Sequence, residues 1–197
     1  MNPLNLRPKF STHCGIFLAF LFAVCTLSVQ AQTSAVASKT TDISIFAGYQ
    51  TLQPDYAYNR DNGFVVGADI TRYLTYKVDP SLEIRYNYTP GPYVSEKSFE
   101  AGIRVQTDYK RFHPYVDFLG GVATVNFAKI YGNPNYTNSS GGTFSTGGGV
   151  DFDVYHNFQI KVDYQQQYMY FSQNITLTPR PLSVGVTYRI PFRPHID

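Results

Sequence analysis

Side chains along most of this chain alternate in character residue by residue, and no other feature constrains the fold as strongly. Ile43, Ile45, Ala47 and Tyr49 alternate with Ser44, Phe46, Gly48 and Gln50. Phe64, Val66, Ala68 and Ile70 alternate with Val65, Gly67, Asp69 and Thr71, and Leu82, Ile84, Tyr86 and Tyr88 with Ser81, Glu83, Arg85 and Asn87. Phe99, Ala101, Ile103 and Val105 alternate with Glu100, Gly102, Arg104 and Gln106. In the stretch from Tyr115 to Phe127 the phase is ambiguous, and an inward Asp117 puts Val116, Phe118 and Val122 outside. The pattern returns at Phe144–Val154, Ile160–Gln165 and Leu182–Ile190. A period of two places one set on each face of a strand. Eight such segments, each about 9–11 residues long, match the length a tilted strand needs to cross a bilayer.

The N-terminus follows another logic. Arg7, Lys9 and His13 precede an apolar run from Ile16 to Val24, and Val29-Gln30-Ala31 offers small residues for cleavage. Basic, apolar and small, in that order, is a secretory leader, and its core is short for a membrane helix. We therefore expect a signal peptide over 1–31, a linker over 32–40, a barrel over 41–192 and a tail over 193–197. Cys14 and Cys25 both lie in the leader, so the exported part has neither disulfides nor zinc–cysteine sites. Removing Arg7 and Lys9 leaves 14 basic residues against 14 acidic ones, which gives a nucleic-acid partner no support.

A mean hydropathy of −0.22 would suggest a soluble chain. In a barrel, however, lipid-facing and lumen-facing residues cancel in any such average. The 17 Tyr, 15 Phe and 15 Gly suit short twisted strands, and Tyr or Phe at both strand ends suits headgroup level. Connections alternate too. Those near Leu74–Lys77, Lys110–His113 and Tyr155–Asn157 are short, whereas Leu52–Asn62, Thr89–Lys97, Ala128–Gly142 and Tyr168–Thr178 read as long loops. Such asymmetry is expected between the periplasmic turns and outer loops of a membrane barrel.

The chain resembles the OmpA/OmpX-like family of small outer-membrane barrels in its strand phrases Gly63-Phe64-Val65-Val66-Gly67-Ala68-Asp69 and His113–Val122. The closing strand Leu182–Ile190 is similar as well; in that family it carries the signal for the barrel-assembly machinery and ends on an aromatic, here Phe192 after Pro191. The resemblance implies an all-β, eight-stranded antiparallel up-and-down transmembrane β-barrel. It would be a monomer in the outer membrane, surrounded by lipid and lipopolysaccharide.

Strand charges fall on one face: Asp69, Glu83, Arg85, Glu100, Arg104, Asp108, Asp117, Asp151, Asp153, Lys161, Asp163 and Arg189. An eight-stranded barrel is just wide enough for side chains to fill it, and buried charges there must pair. We expect a salt-bridge network, with Glu83, Glu100, Arg85 and Arg104 at comparable depth, that plugs the lumen. A structural or surface-interaction role follows. A narrow passive pore, an outer-membrane lipid hydrolase and a soluble lipocalin-like carrier stand as alternatives. No catalytic, cofactor or metal site is expected: His113 and His156 read as turn residues, His195 as tail, and no Ser/His pair is evident. Gly141-Gly142 and Gly147–Gly149 lack the lysine and helix of a phosphate loop and read as a flexible loop and a small-residue strand segment. Tyr56, Tyr58, Tyr93, Tyr131, Tyr136, Tyr168 and Tyr170 suggest loop surfaces able to bind a partner, or an extended aromatic belt.

Overall fold

The computed structural model describes residues 41–55, 59–74, 78–91, 94–127, 138–171 and 175–191. The leader with both cysteines, the linker, His13, Tyr56, Tyr58, Tyr76, Tyr93, Tyr131, Tyr136, Phe192 and the tail with His195 lie outside those residues. Among the described residues nine strands follow in chain order: β1 Thr41–Gln53, β2 Asp61–Arg72, β3 Val78–Thr89, β4 Val94–Thr107, β5 Phe112–Phe127, β6 Asn138–Tyr155, β7 Phe158–Phe171, β8 Ile175–Leu177 and β9 Arg180–Pro191. Each long strand pairs antiparallel with its neighbours, and β9 returns to β1. Eight long strands thus close into a barrel with no free edge, while β8 extends the hairpin beside the end of β7.

Alternation of apolar and polar residues sets the register, because slipping by one residue would turn each face inside out. Inward positions are the more buried along most of the barrel, for instance Glu83, Arg85 and Asn87 against Leu82 and Ile84 on β3, while Thr146–Val150 on β6 is half-buried on both faces. On β5 the phase is resolved with Asp117 inward and Val116, Phe118 and Val122 outward.

Glycine makes room where two bulky groups must enter a narrow lumen. A Cβ on Gly67 would run into the Phe46 ring, and one on Gly149 would lie 2.7 Å from the Tyr115 hydroxyl. Both glycines therefore act as recesses for an aromatic ring from another strand.

At one end the turns are tight. Tyr109 and Phe112 exchange backbone hydrogen bonds across Lys110-Arg111, and Tyr155 faces Phe158 across His156-Asn157. Lys110 (φ 58°) and His156 (φ 47°) take the left-handed conformation that two-residue hairpins need. At the other end the connections are shorter than their composition suggests. β5 and β6 stay paired from Val122↔Gly142 to Asn126↔Asn138, so part of the expected loop, Gly141-Gly142 included, is strand. Only 90–93 separates β3 from β4. Ladder hydrogen bonds and packing on the inner side override the weak strand propensity of Asn, Ser and Gly there.

Candidate functional site

The lumen divides into three zones from the turn end to the loop end. Burial puts nine carboxylates inside it, from Asp42, Asp69, Asp79, Glu83, Glu96, Glu100, Asp117, Asp151 and Asp163. Among the described residues only three buried Lys or Arg side chains, Arg85, Arg104 and Lys161, stand against them.

The central zone holds these three cations. Arg85 Nε donates to Glu83 Oε1 at 2.8 Å and Nη1 to Asp163 Oδ1 at 2.9 Å, while Nη2 reaches Glu83 and lies 3.3 Å from Asp117 Oδ2. Arg104 Nη2 donates to Asp151 on β6 and to Gln106 Oε1 at 3.0 Å. Its Nη1 lies 3.6 Å from Glu83 Oε2 and 3.8 Å from Asp69 Oδ2. Lys161 Nζ sits 3.7 Å from Glu83 Oε2 and lies over two rings, 4.3 Å from the centroid of Phe46 and 4.5 Å from that of Tyr115. Arg104 also lies over Tyr115, its Cζ 3.7 Å from the ring centroid. Ring faces are electron-rich, so the two aromatics supplement the carboxylates as partners for buried cations. Tyr115 donates to Asp163 Oδ2 at 2.7 Å, and Gln165 Nε2 reaches both Asp117 oxygens at 2.9 Å. Residues of β2, β3, β4, β5, β6 and β7 therefore meet in one network across the bore.

At the turn end, His113 bridges two carboxylates, with Nδ1 2.5 Å from Asp108 Oδ1 and Nε2 2.9 Å from Asp153 Oδ2. Gln159 Nε2 donates to Asp153 Oδ1 at 2.7 Å, which fixes β7 to the same group. Tyr73, in the connection after β2, donates to Asp42 Oδ2 at 3.0 Å, and Arg189 Nε lies 3.8 Å from that oxygen. Burial, reinforced by Asp42 against the opposing pull of Arg189, raises the Tyr73 hydroxyl well above the ordinary phenol range.

At the loop end, Glu100 accepts hydrogen bonds from Ser145, from Thr143 at 3.2 Å, and from Asn87 and Gln167 at 3.3 Å each. Farther out, apolar side chains join the lining beside the buried polar residues Gln50, Thr89 and Glu96. Ala123, Val125, Met169 and Phe171 form a buried apolar cluster, with Val94 and Leu177 against it, and Leu52 is buried in the same half of the barrel. Thr178 ties this end together by donating to Asp55 Oδ2 through its backbone N–H (3.3 Å) and its hydroxyl (2.9 Å).

Three positions differ from the sequence expectation. Glu100 does not join the ion-pair network although it faces Arg85 directly in the β3–β4 register. Arg85 turns instead toward Glu83, Asp117 and Asp163, which leaves Glu100 to neutral donors. Asp108 lies past the end of β4 at the rim, its side chain 43% exposed, because the tight turn starts there. His113 is not in the turn but is the second residue of β5, buried and inward. Asp153 and Arg189 belong to the turn-end rim, and His156 occupies its turn. Sequence reasoning passed over His113, Tyr115 and Gln165 as site members. Their signal was available as phase: His113 and Tyr115 share the inward parity of Asp117, and Gln165 that of Asp163.

The outer wall has the opposite character. Between Arg72 near the turn end and Lys97 and Arg180 near the loop end, the outward positions of the strands carry no charge. Ile45, Ile70, Leu82, Ile84, Ile103, Val116, Phe118, Val122, Val184 and Val186 are exposed there. Aromatic contacts gather at the two borders. Phe112–Phe152 (4.9 Å between centroids) and Phe158–Tyr188 (5.0 Å) lie toward the turns, and Phe64–Tyr88 (5.6 Å) toward the loops. An uncharged exposed wall of this extent far exceeds the apolar patches of soluble monomers, and its aromatic borders match those of membrane barrels.

Solved structures agree with that geometry. Neisserial surface protein A superimposes with a TM-score of 0.50 at 15% identity, covering 77% of this chain and 97% of that one. The fold is that of the small outer-membrane barrels. The attachment invasion locus protein of Yersinia pestis, Ail, matches with a TM-score of 0.49 at 15% identity over 78% of this chain and 99% of that one. The N-terminal barrel domain of OprF from Pseudomonas aeruginosa matches with a TM-score of 0.45 at 18% identity over 75% and 97%. No protein-family model matches the sequence, and no curated protein matches it.

Proposed function

We propose that this chain is a bacterial outer-membrane barrel protein, exported by its leader, with a sealed lumen and a structural or surface-interaction role. The observation that carries the reading is the pairing of an uncharged, aromatic-bordered outer wall with a bore crossed by interlocking ion pairs. Lipid replaces water against the wall without cost to any charge, and the closed ladder leaves no backbone polar group exposed to it. In this reading the tight turns and both barrel termini face the periplasm and the loops face outward. Lipid and lipopolysaccharide surround a monomer, and the assembly machinery engages β9 during biogenesis.

A structural rather than a conducting role is supported by two successive obstacles in the bore. Arg85, Arg104 and Lys161 with their carboxylates span its centre, and the Val125–Met169–Phe171 cluster narrows the lumen toward the loops. The described residues show no outward Ser/His pair, so we ascribe no reaction to it. Purified barrel reconstituted in planar bilayers tests the seal. Flat current traces across a wide voltage range are expected. Steady unitary conductance would replace the sealed reading with the narrow-pore one.

A further inference from the structure

We propose that the outer face of β3–β6 at the loop end binds the phosphorylated sugar headgroup of lipopolysaccharide, with Lys97 taking a phosphate. This site presupposes the outer-membrane reading above, in which the loops face the outer leaflet. Among the described strands the charged residues that face outward are Arg72, Lys97 and Arg180, and all are cations, whereas the acids are kept in the lumen. Charges of one sign at the borders of an apolar wall complement the phosphates of lipid headgroups. Lys97 stands out among them because of what the register sets beside it.

Tyr86, Phe99, Val122 and Gly142 share one outward rung across β3–β6. The next rung toward the loops holds Tyr88, Lys97, Thr124 and Ser140, and the one after it Ser95, Asn126 and Asn138. The wall therefore turns from apolar to cationic and hydroxylic, then to hydroxyl and amide, in two steps of about 7 Å each along the strands. Lys97 Nζ lies over the Tyr88 ring, 5.3 Å from its centroid, and has no carboxylate partner among the described residues, so its N–H groups remain available to an anion. Beside it the Thr124 and Ser140 hydroxyls bond each other at 2.9 Å, and one of the two keeps a hydrogen to donate outward. Under this row Gly142 leaves a notch, since a Cβ there would meet nothing within 4 Å, and Tyr170, 54% exposed, stands directly across the ladder. An exposed tyrosine beside a notch offers the C–H-rich face of a pyranose an apolar body with a polar tip. A glycerophosphate headgroup would end at Lys97. Only a sugar headgroup still has hydroxyls to meet Ser95, Asn126 and Asn138 one rung farther out, where β5 and β6 remain paired.

Native mass spectrometry of the folded barrel, titrated in zwitterionic detergent with diphosphoryl lipid A or with phosphatidylglycerol, measures the preference. Wild type should bind lipid A about tenfold more tightly or better. Lys97→Gln should weaken lipid A binding by about tenfold, the loss of one charge-assisted phosphate contact. Gly142→Leu fills the notch from the open side and should weaken it several-fold. Arg72→Gln, at the opposite border, should leave it unchanged. If Lys97→Gln does not assemble, Thr124→Val, which is isosteric and removes one hydroxyl, should weaken binding several-fold in its place. Equal affinity for the two lipids would overturn the proposal, as would unchanged binding in Lys97→Gln, or in Thr124→Val where that variant carries the test. So would equal losses in Arg72→Gln and Lys97→Gln, which mark attraction by net charge alone. Outer-membrane recovery and the gel shift on boiling report the membrane reading separately. Soluble protein would remove that reading, whereas a membrane barrel indifferent to Lys97 would remove only this site.

Discussion

The central and loop-end zones of the lumen are filled by different means. At the centre, Arg85 and Arg104 are each held by carboxylates from different strands and Lys161 by Glu83 and two rings, and every strand from β2 to β7 supplies a member. At the loop end, a carboxylate served by neutral donors lies below a cluster of apolar side chains. An ionic network closes a bore rigidly but tolerates the loss of no partner, because each remaining charge is stranded. An apolar cluster tolerates truncation at the cost of area and a cavity. The two zones should therefore respond very differently to comparable substitutions.

The largest effect is expected at the centre. Arg85→Met strands Asp117 and Asp163 and leaves Glu83 only its longer contacts to Arg104 and Lys161, and it should lower stability by about 3–5 kcal/mol or block assembly. Guanidinium unfolding in detergent measures this. The outer wall provides a second contrast at the same depth: Ile84→Arg, which faces outward beside that network, should cost about 2–4 kcal/mol in lipid. The same substitution measured in a water-soluble host would cost little, so a small effect in lipid counts against the wall assignment. Met169→Ala in the apolar cluster should cost about 2 kcal/mol, at the lower end for such truncations since the nearby mouth can relax. Equal losses in Met169→Ala and Arg85→Met would erase the distinction between the zones. Gly149→Ala would drive a methyl into the Val162 carbonyl oxygen and bring it to 2.7 Å from the Tyr115 hydroxyl, so the β6–β7 ladder must shift, and it should cost about 1–3 kcal/mol, seen as a lowered unfolding midpoint.

How far the sequence reveals these zones depends on what physics sets each one. Strand faces were legible because a barrel wall imposes period two on every residue, so Glu83 and Leu82 could be sorted with no knowledge of their neighbours. Partner choice was not legible in the same way. Arg85 and Glu100 face each other across one register pair, yet the guanidinium goes to Asp163, which lies 78 positions away in sequence and comes within reach only once the barrel closes. The apolar mouth was hidden for another reason. Ala123, Val125 and Met169 share the inward parity of charged residues, so a rule equating inward with polar misses them. The strand extension from Asn138 to Gly142 carries loop-like composition, and only its pairing with β5 reveals it.

The most direct test of the central claim is where the folded chain resides and how it migrates. Cells expressing it should yield the protein in the detergent-extracted outer membrane. Unheated samples should run at a different position from boiled ones on an SDS gel, because a closed barrel resists the detergent until heated. Recovery as soluble periplasmic protein, or identical mobility with and without boiling, would contradict the account and require the exposed apolar wall to be covered by something other than lipid.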